Sequence, residues 1–381
     1  VLRLFALRLR RAPTLHRIGL PRGRIPAMNA IAAAPPLVLA IDAMGGDRAP
    51  KMVIEGMNRA LDSIRNVRFL VFGRADEVAP LVQGFRRLRS RVEVRHASDV
   101  IGAGERPSAA LRNGRNSSMR QAIDAVAAGD AQGIVSAGNT GALMAMAKFV
   151  FKTLPGVDRP AIASVFPSLR GRTVLLDLGA NVNCSAENLV QFAVMGEVFA
   201  RSVLGLKTPS VGLLNVGEED LKGHDAVKKA ATFLQQSDLA IHFHGFVEGD
   251  DIAMGTVDVV VTDGFSGNIA LKTAEGTARL YTHYLKRALI SSPLARLGAL
   301  LARPALRKMR ARFDPRLYDG AMFLGLNGVC VKSHGGTDAF GFSNAIRVAA
   351  ELVADGVNED IKRDFAFLSA NRETNTTLAV G

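Results

Sequence analysis

Short apolar segments alternate with longer amphipathic segments along the chain from residue 37 onward. The apolar segments are nearly continuous in Val, Ile and Leu, without the alternation of apolar and polar residues that a half-exposed strand shows. Such segments are typical of strands buried on both faces, in a largely parallel sheet between layers of helices. We predict strands at residues 37–42, 67–73, 92–98, 132–137, 173–180, 210–217, 239–247 and 257–264.

Glycine, asparagine, serine, threonine or a carboxylate follows directly after five of these predicted strands. The five turns read IDAMGGD, VSAGNTG, LDLGANVN, LLNVGEE and TDGFSGN. Ligands of parallel α/β folds bind at the carboxyl ends of strands, so we expect the five turns to share one edge of the sheet. Glycine lets the backbone approach a ligand, asparagine offers amide donors, and the following helix adds free N–H groups. The pattern predicts an anion pocket with phosphate as its occupant.

Common nucleotide-binding and hydrolase motifs are absent from the chain. No turn fits GxGxxG or GxxxxGK[ST], and there is no GxSxG, so a dinucleotide fingerprint, a P-loop and a serine-hydrolase elbow are not supported. The seven histidines are scattered, and Cys184 has no histidine near it in the sequence. We therefore predict no metal site, no cofactor, and a buried, inert thiol at Cys184.

Positive charge is concentrated in two segments. The 381 residues carry a net charge of +13; residues 1–41 hold seven arginines and no acid, and residues 286–316 hold nine Lys or Arg against Asp314 alone. The remainder of the chain therefore has no positive field of its own, and the whole sequence has no Trp and three Tyr. A nucleic-acid partner is not expected from this distribution. Two cysteines without a disulfide framework fit a reducing, intracellular setting.

The length and composition suit one large α/β domain, which we place at residues 36–369. Residues 1–35 are predicted to be a disordered N-terminal extension. This segment fits leader sequence ahead of a start at Met28, and its arginine-rich, acid-free composition also fits a transit peptide. Residues 370–381 are polar and are predicted to form a flexible tail.

Seven segments resemble, in the same order, the successive motifs of the bacterial phosphate acyltransferases that make fatty acyl-phosphate from acyl-acyl carrier protein. They span about Leu37 to Asp364 and read IDAMGGDRAP, RPSAALR with SSM, VSAGNTGALMA, LLDLGANV, LLNVGEEDLKG, VVVTDGFSGNIALKTAEG and LGLNGVCVKSHG. The resemblance implies a three-layer α/β/α sandwich of the isopropylmalate-dehydrogenase-like kind, with a mostly parallel sheet. It also implies a cytoplasmic homodimer, loosely attached to the inner face of the cell membrane near the integral acyl-phosphate:glycerol-3-phosphate acyltransferase. Its partners would be acyl carrier protein and inorganic phosphate, at the start of phospholipid synthesis.

The resemblance also implies site residues. Lys222 and Asn268 match the family positions most often assigned to the active site; we expect Lys222 to hold phosphate or developing negative charge and Asn268 to donate to the thioester oxygen. The alternative for Lys222 is a solvated loop lysine, and for His334 it is a structural hydrogen bond. Asp177 and Asp263 could instead support neighbouring side chains or cap helices. Holding or capping a turn is the alternative for Asp42, Asp47, Asn139, Thr140 and Asn181. Two departures from the family pattern are Asn183, where Asp is usual, and the run Gly335-Gly336-Thr337. Further predicted substrate-binding residues are Asp42, Gly45, Gly46, Asp47, Asn139, Thr140, Gly141, Asp177, Gly179, Asn181, Asp263, Gly264, Asn327 and His334.

The chemistry of this reaction does not require a serine or cysteine nucleophile, and none is predicted. Phosphate is already an anionic nucleophile near pH 7, and a thiol leaving group with a pKa of about 8.5 needs little acid assistance. The enzyme must supply positioning and stabilisation of the tetrahedral oxyanion, where one donor is typically worth ~10²–10³ in rate. Lysine and asparagine suit that task.

Residues 286–316 form a basic amphipathic insertion. An apolar stripe flanked by arginines is typical of a helix lying in a membrane surface, and Pro293 and Pro304 fit the starts of two short helices. A helix pair at a dimer interface is the alternative, and docking of the acidic carrier protein is a third use. The predicted contact residues are Ile290, Leu294, Leu297, Leu301, Arg303, Arg307, Lys308 and Arg310.

Three other functions stay open at this point. A phosphotransacetylase using an acyl-coenzyme A has the same chemistry, but would need an adenine-nucleotide site and has less use for a membrane-seeking helix pair. A nicotinamide-dependent dehydrogenase would need a metal carboxylate cluster or a glycine fingerprint, and neither is evident. The third is a non-enzymatic adaptor for a membrane or a nucleic acid, whose nucleic-acid form should weaken steeply with salt.

Overall fold

The computed structural model describes residues 36–312 and 314–378. The predicted extension at 1–35 and the last residues of the predicted tail therefore lie outside the described residues. Helix α12 (Val357–Leu378) continues through most of the segment predicted as a tail.

Eleven strands in the described part of the chain form one sheet. The strands are β1 (Leu37–Asp42), β2 (Val67–Gly73), β3 (Val92–His96), β4 (Gly133–Ser136), β5 (Ala161–Ser168), β6 (Gly171–Leu176), β7 (Ser210–Leu214), β8 (His242–Val247), β9 (Val259–Val261), β10 (Ala321–Leu324) and β11 (Val329–Lys332). Their order in the sheet is β3-β2-β1-β4-β11-β10-β5-β6-β9-β7-β8. All eight predicted strands are present, and three further strands, β5, β10 and β11, were not predicted.

Helices connect most of the strands and cover both faces of the sheet. The other helices are α1 (Lys51–Ala60), α2 (Ala75–Gln83), α3 (Pro107–Asn113), α4 (Ser118–Ala127), α5 (Thr140–Phe151), α6 (Ala186–Leu204), α7 (Asp225–Gln236), α8 (Asp251–Met254), α9 (Gly264–Ile290), α10 (Pro293–Arg312) and α11 (Ala339–Ala354), with a 3₁₀ helix at Pro315–Tyr318.

Buried side chains lie on both faces of the sheet, as expected for a three-layer sandwich. In β1, Leu39 and Ile41 pack with the core residues of α1, α6 and α11, whereas Ala40 packs on the other face with α4 and α5. Successive side chains of a strand point to opposite faces, so one continuously apolar strand serves both layers. The predicted α/β/α architecture is confirmed.

The sheet is mostly parallel but reverses its direction near the middle. Strand β10 is antiparallel to both β11 and β5, and β5 is also antiparallel to β6. Consequently β6, β7, β8 and β9 run opposite to β1, β2, β3, β4 and β11. The prediction that five turns share one edge is therefore wrong. IDAMGGD and VSAGNTG lie at one edge, and LDLGANVN, LLNVGEE and TDGFSGN lie at the other.

Helices α9 and α10 form a hairpin that contains the basic insertion. Only Gly264 and Gly267 of α9 are buried. Helix α10 begins at Pro293 as predicted, but it continues through Pro304, so the predicted second helix start is wrong. Proline removes one backbone N–H donor, and because α10 is exposed at this point, water can satisfy the freed carbonyl. No described helix is both long enough and apolar enough to span a bilayer.

Candidate active site

The predicted site residues fall into two groups at opposite strand ends. The first, the Asp42 group, follows strands β1, β4 and β11 and comprises Asp42, Gly45, Gly46, Asp47, Asn139, Thr140, Gly141 and His334. The second, the Asp177 group, follows strands β6, β7 and β9 and comprises Asp177, Gly179, Asn181, Lys222, Asp263, Gly264 and Asn268. Within the described ranges, no hydrogen bond or ion pair joins the two groups. Each group is built around one buried carboxylate.

Asp177 organises the turn after β6. Its fully buried carboxylate accepts five hydrogen bonds: from the backbone N–H groups of Ile162 (2.9 Å), Gly179 (3.2 Å), Ala180 (3.0 Å) and Asn181 (2.7 Å), and from Asn181 Nδ2 (2.9 Å). Burial raises the pKa of Asp177, and these donors oppose that rise. The carboxylate is saturated by protein donors, so its role is to fix the shape of the turn.

The first turn of α9 is pressed against the Asp177 turn. Gly264 N–H donates to the Asn181 carbonyl (2.7 Å), and a Cβ at Gly264 would meet that oxygen at 2.7 Å. A Cβ at Gly267 would overlap the Asp177 carbonyl oxygen. Asp263 caps α9 through Ser266 N–H (2.8 Å), which is the N-cap alternative proposed for it. Only glycine allows this approach.

Asn268 lies one turn into α9, against Gly179. Its side chain is exposed and makes no hydrogen bond with the part of the chain that the structure describes. Gly179 has φ +124°, a backbone conformation that disfavours any side chain at this point. The amide of Asn268 is therefore free to donate to a ligand above the turn.

Lys222 lies in the segment after β7, the strand next to β9. Its side chain is 50% exposed, and Nζ forms an ion pair with Glu219 Oε2 at 2.8 Å. The hydrogen bond to Glu219 raises the pKa of Lys222 and lowers that of Glu219. Lys222 is thus a cation at neutral pH, and an exposed ion pair of this kind contributes little to stability. It can exchange Glu219 for another anion.

Asn215, which the sequence analysis did not single out, shapes the Lys222 segment. Its Nδ2 donates to the carbonyls of Gly217 and Lys222, each at 3.1 Å. The sequence signal for this role was an asparagine directly after a strand, followed by Gly217 and Gly223.

Asp42 organises the other group. Its buried carboxylate accepts from Ser118 Oγ and Ser136 Oγ, both at 2.6 Å, and from Met44 N–H at 3.2 Å. Burial raises the pKa of Asp42. Gly45 lies directly against this carboxylate, and Gly46 has φ +106°. The two serines were not predicted, because they come from distant parts of the sequence.

The side chains of the two predicted asparagine donors already have protein partners. Asn139 caps α5 through Ala142 N–H (3.0 Å), and its Nδ2 donates to the carbonyls of Gly102, Ala103 and Glu105. Asn181 Nδ2 donates to Pro160 O (2.8 Å) as well as to Asp177. This geometry favours the turn-capping alternative for both. Thr140 and Gly141 open the α5 helix, with Thr140 exposed.

Lys332 is a buried cation that the sequence analysis missed. It ends β11 opposite Ser136 of β4, is 8% exposed, and donates to the Ser333 carbonyl. Burial lowers its pKa to about 8, and the carboxylates of Asp319 and Asp42 oppose this decrease. No carboxylate of the described residues lies within 4.0 Å of its ammonium.

The loop after Lys332 is tied to Asp319 and Asp47. Asp319 accepts from Ser333 Oγ (2.9 Å), Thr337 Oγ1 (2.6 Å) and His334 N–H (3.0 Å). His334 Nδ1 accepts from Gly336 N–H (3.0 Å), which places this side chain in a structural hydrogen bond. Asp47 N–H donates to Gly335 O (2.9 Å), and its carboxylate faces the same loop.

Asn327 makes no side-chain hydrogen bond with either group in the described chain, whereas Cys184 lies in the Asp177 turn, where its Sγ donates to the Asn181 carbonyl (3.7 Å). Asn327 is in the β10–β11 turn, where its N–H donates to Lys152 O (3.1 Å). Cys184 is half-buried, and desolvation together with Asp177 raises the pKa of its thiol to about 11, so the thiol stays protonated. In residues 36–312 and 314–378, no three His, Cys, Asp or Glu side chains form a group that could hold a metal ion.

The α9–α10 hairpin exposes large apolar side chains to solvent. Leu294 is 79% and Leu301 77% exposed, and Ile290 and Leu297 are also exposed. Arg303, Arg307 and Lys308 are exposed on α10, whereas the side chain of Arg310 lies outside the described residues. The predicted contact residues therefore share an exposed element.

Comparisons with known proteins identify relatives of the whole domain. Residues 37–360 match the family described as "Fatty acid synthesis protein". The chain is 63% identical to the phosphate acyltransferase of Rhodospirillum centenum over 88% of this chain and 94% of that protein. It is 58% identical to the phosphate acyltransferase of Paramagnetospirillum magneticum over 91% of this chain and 98% of that protein. Among solved structures, a phosphotransacetylase from Streptococcus pyogenes shares the fold (TM-score 0.57, 17% identity, 84% and 95% of the two chains).

Proposed function

The chain belongs to the fatty acid synthesis protein family of phosphate acyltransferases and is an acyltransferase, and we propose that it transfers a fatty acyl group from acyl-acyl carrier protein to inorganic phosphate. The product would be an acyl-phosphate for phosphatidic acid and phospholipid synthesis. The unpartnered amide of Asn268 is the observation that carries this proposal, because it is a free donor held by a rigid turn.

The reaction requires one bond to form and one to break. A phosphate oxygen attacks the thioester carbonyl carbon, and the carbonyl oxygen becomes an oxyanion. The C–S bond then breaks, and the sulfur leaves as a thiolate that takes a proton from solvent. In this scheme Asn268 donates to the oxyanion, and such a donor acts mainly in the transition state.

Lys222 supplies the positive charge in this scheme. It is protonated at neutral pH and its only ion-pair partner in the described part of the chain is the exposed Glu219. Phosphate can therefore replace or share Glu219 without leaving a charge buried. Lys222 and Asn268 follow neighbouring parallel strands, β7 and β9, which supports a shared site at that edge.

The Asp42 group belongs to the same cleft in this proposal, although β4 and β9 run in opposite directions. Five strand steps separate β4 from β9 in the sheet order. With about 20–25° of twist per step, the accumulated rotation is roughly 100–125°, which leaves the two strand directions about 55–80° apart. A twist of this size would bring the two sets of carboxyl ends toward a common side, which supports placing both groups in one site.

The α9–α10 hairpin would attach the enzyme to the inner face of the cell membrane, near the integral acyltransferase that uses acyl-phosphate. An exposed apolar stripe flanked by arginines supports this role. A homodimer contact through the exposed Leu280, Tyr281 and Tyr284 of α9 is compatible with it, because these residues lie on the other helix of the hairpin.

The test compares two half-exposed lysines that each form an ion pair with a nearby glutamate. Lys272 is 54% exposed and pairs with Glu275 at 2.9 Å, almost as Lys222 pairs with Glu219. Acyl-phosphate formation from long-chain acyl-acyl carrier protein is measured with and without phosphate. We expect Lys222→Ala to lower the rate by ~10²–10³ and Lys272→Ala to leave it within about twofold.

The outcomes separate the function from the mechanism. No phosphate-dependent turnover of acyl-acyl carrier protein by the wild type, with turnover of acetyl-coenzyme A, would establish the phosphotransacetylase alternative. Wild-type turnover with full activity of folded Lys222→Ala would keep the function and overturn the role of Lys222.

A further inference from the structure

A second basic surface lies away from the α9–α10 hairpin, between α1 and the start of α11. It is a groove of about 620 Å³ whose walls include Arg48, Lys51, Glu55 and Arg59 on one side and Arg316 and Phe340 on the other. Lys51, Glu55 and Arg59 are spaced four positions apart on α1, so they share one helical face, and Arg48 lies in the turn directly before the helix. The groove is therefore a continuous feature of two packed elements.

Most of the positive charge in this groove is not neutralised by the protein. Arg316 is paired with Asp314 and Asp338, but Arg48 and Arg59 have no ion pair within the described ranges. Lys51 reaches Glu55 only at 4.0 Å and is 75% exposed. The lining thus holds four cations and two acids, Glu55 and Asp338, and this excess of positive charge favours an anionic partner.

Two of these arginines are held in place by other groups. Arg48 Nη2 donates to the carbonyls of Gly336 and Thr337, and the Arg59 guanidinium lies 4.6 Å from the centre of the Phe340 ring. A charge fixed in this way loses little side-chain entropy when it binds a partner. Arg48 and Asp47 contact the same loop after β11, so this end of the groove lies next to the Asp42 group.

We propose that this groove docks the acidic acyl carrier protein that delivers the thioester. The inference rests on the proposed function and places the carrier at a surface distinct from the membrane-facing hairpin. The groove volume is in the range of pockets that hold whole ligands, far larger than one phosphate ion. The hairpin combines its arginines with exposed leucines, which suits lipid, whereas the exposed residues of the groove are mainly charged.

The experiment reverses two charges in the groove and two outside it. Lys51→Glu with Arg59→Glu is compared with Lys207→Glu with Arg86→Glu, which makes the same change in net charge at exposed positions outside the groove. The KM for acyl-acyl carrier protein is measured at saturating phosphate and at several salt concentrations. An uncharged acyl-pantetheine thioester serves as the carrier-free substrate.

We expect the groove variant to raise the KM for the carrier substrate at least about tenfold at low salt, and to flatten its salt dependence. Its KM for acyl-pantetheine and the behaviour of the control pair should not change. Arg59 packs on Phe340, so Lys51→Glu alone is measured as well, with a thermal melt of each variant. That single variant should give a smaller rise in KM with unchanged melting.

Two results would overturn this docking surface while leaving the proposed function intact. One is wild-type turnover of the carrier substrate with an unchanged KM in both folded groove variants. The other is a rise in KM for the carrier substrate on reversing Arg303 and Arg307 of α10 instead. Absence of any wild-type turnover with the carrier substrate would remove the proposed function itself.

Discussion

Replacing Gly264 by alanine tests whether the close approach of α9 to the Asp177 turn positions Asn268. The new Cβ would lie 2.7 Å from Asn181 O and 2.9 Å from both Asp177 Oδ2 and Gly179 Cα. Ordinary contact begins near 3.4 Å, so the first turn of α9 must move by about 0.5–0.7 Å. The three contacts come from one turn whose shape is fixed by Asp177, so movement of the helix is the available response.

This displacement should reduce both catalysis and stability. Active sites tolerate roughly 0.5 Å of error, and a misplacement of about 1 Å can lower the rate about 10²-fold. We expect Gly264→Ala to lower kcat at least about tenfold and the free energy of unfolding by about 1–3 kcal/mol. Phosphate-dependent thioester loss and urea unfolding measure the two quantities.

Gly276→Ala is the control on the same helix. A Cβ at Gly276 meets nothing within 4 Å in the described structure, so this variant should keep its activity and gain up to ~1 kcal/mol from helix propensity. Wild-type kcat in a folded Gly264→Ala protein would refute the argument that this contact positions Asn268.

Two further predictions concern the buried lysine and the hairpin. Because burial lowers the pKa of Lys332 from 10.5 to about 8, the native chain binds fewer protons than the unfolded chain between these values, and stability should rise with pH across that window by at most about 1.4 kcal/mol per pH unit. Lys332→Met should remove this contribution, as measured by urea unfolding from pH 7.5 to 10.5; an identical pH slope in wild type and variant would contradict it. Leu297→Glu with Leu301→Glu should weaken binding to anionic vesicles at least about tenfold, in a flotation assay, without changing turnover of a carrier-free thioester; equal vesicle binding by the variant would contradict a lipid-facing stripe.

The hydrophobic pattern located strands well where they are buried on both faces. The predicted bounds of β1 and β2 agree with the structure residue for residue. The unpredicted strands lie side by side in the sheet: β10 and β11 are only four residues long, and β5 is only partly buried. The hydrophobic pattern does not encode strand direction, so it could not show that the sheet reverses between β11 and β6. The prediction that the five turns share one edge was therefore wrong.

In the candidate site, too, features set by neighbouring residues could be predicted, and features set by distant residues could not. The cap at Asp263 could be predicted, because an Asp directly before a helix needs only its own neighbours. The partners of Asp42 and the environment of Lys332 could not, because Ser118, Ser136 and Asp319 reach them only through the folded chain. The active-site assignment of Lys222 and Asn268 came from family resemblance and stays a prediction.

Helix α9 joins two distant parts of the molecule in one rigid rod. Its 27 residues span about 40 Å, with Asn268 in the first turns and Ile290 at the far end beside the exposed leucines of α10. A rotation of about 5° around the first turn would carry the far end through roughly 3.5 Å on that length. Conversely, a surface that holds the far end fixes the direction of the first turn to within a few degrees. If the hairpin binds a membrane as proposed, anchoring at one end of α9 would therefore control the direction of the Asn268 amide at the other end.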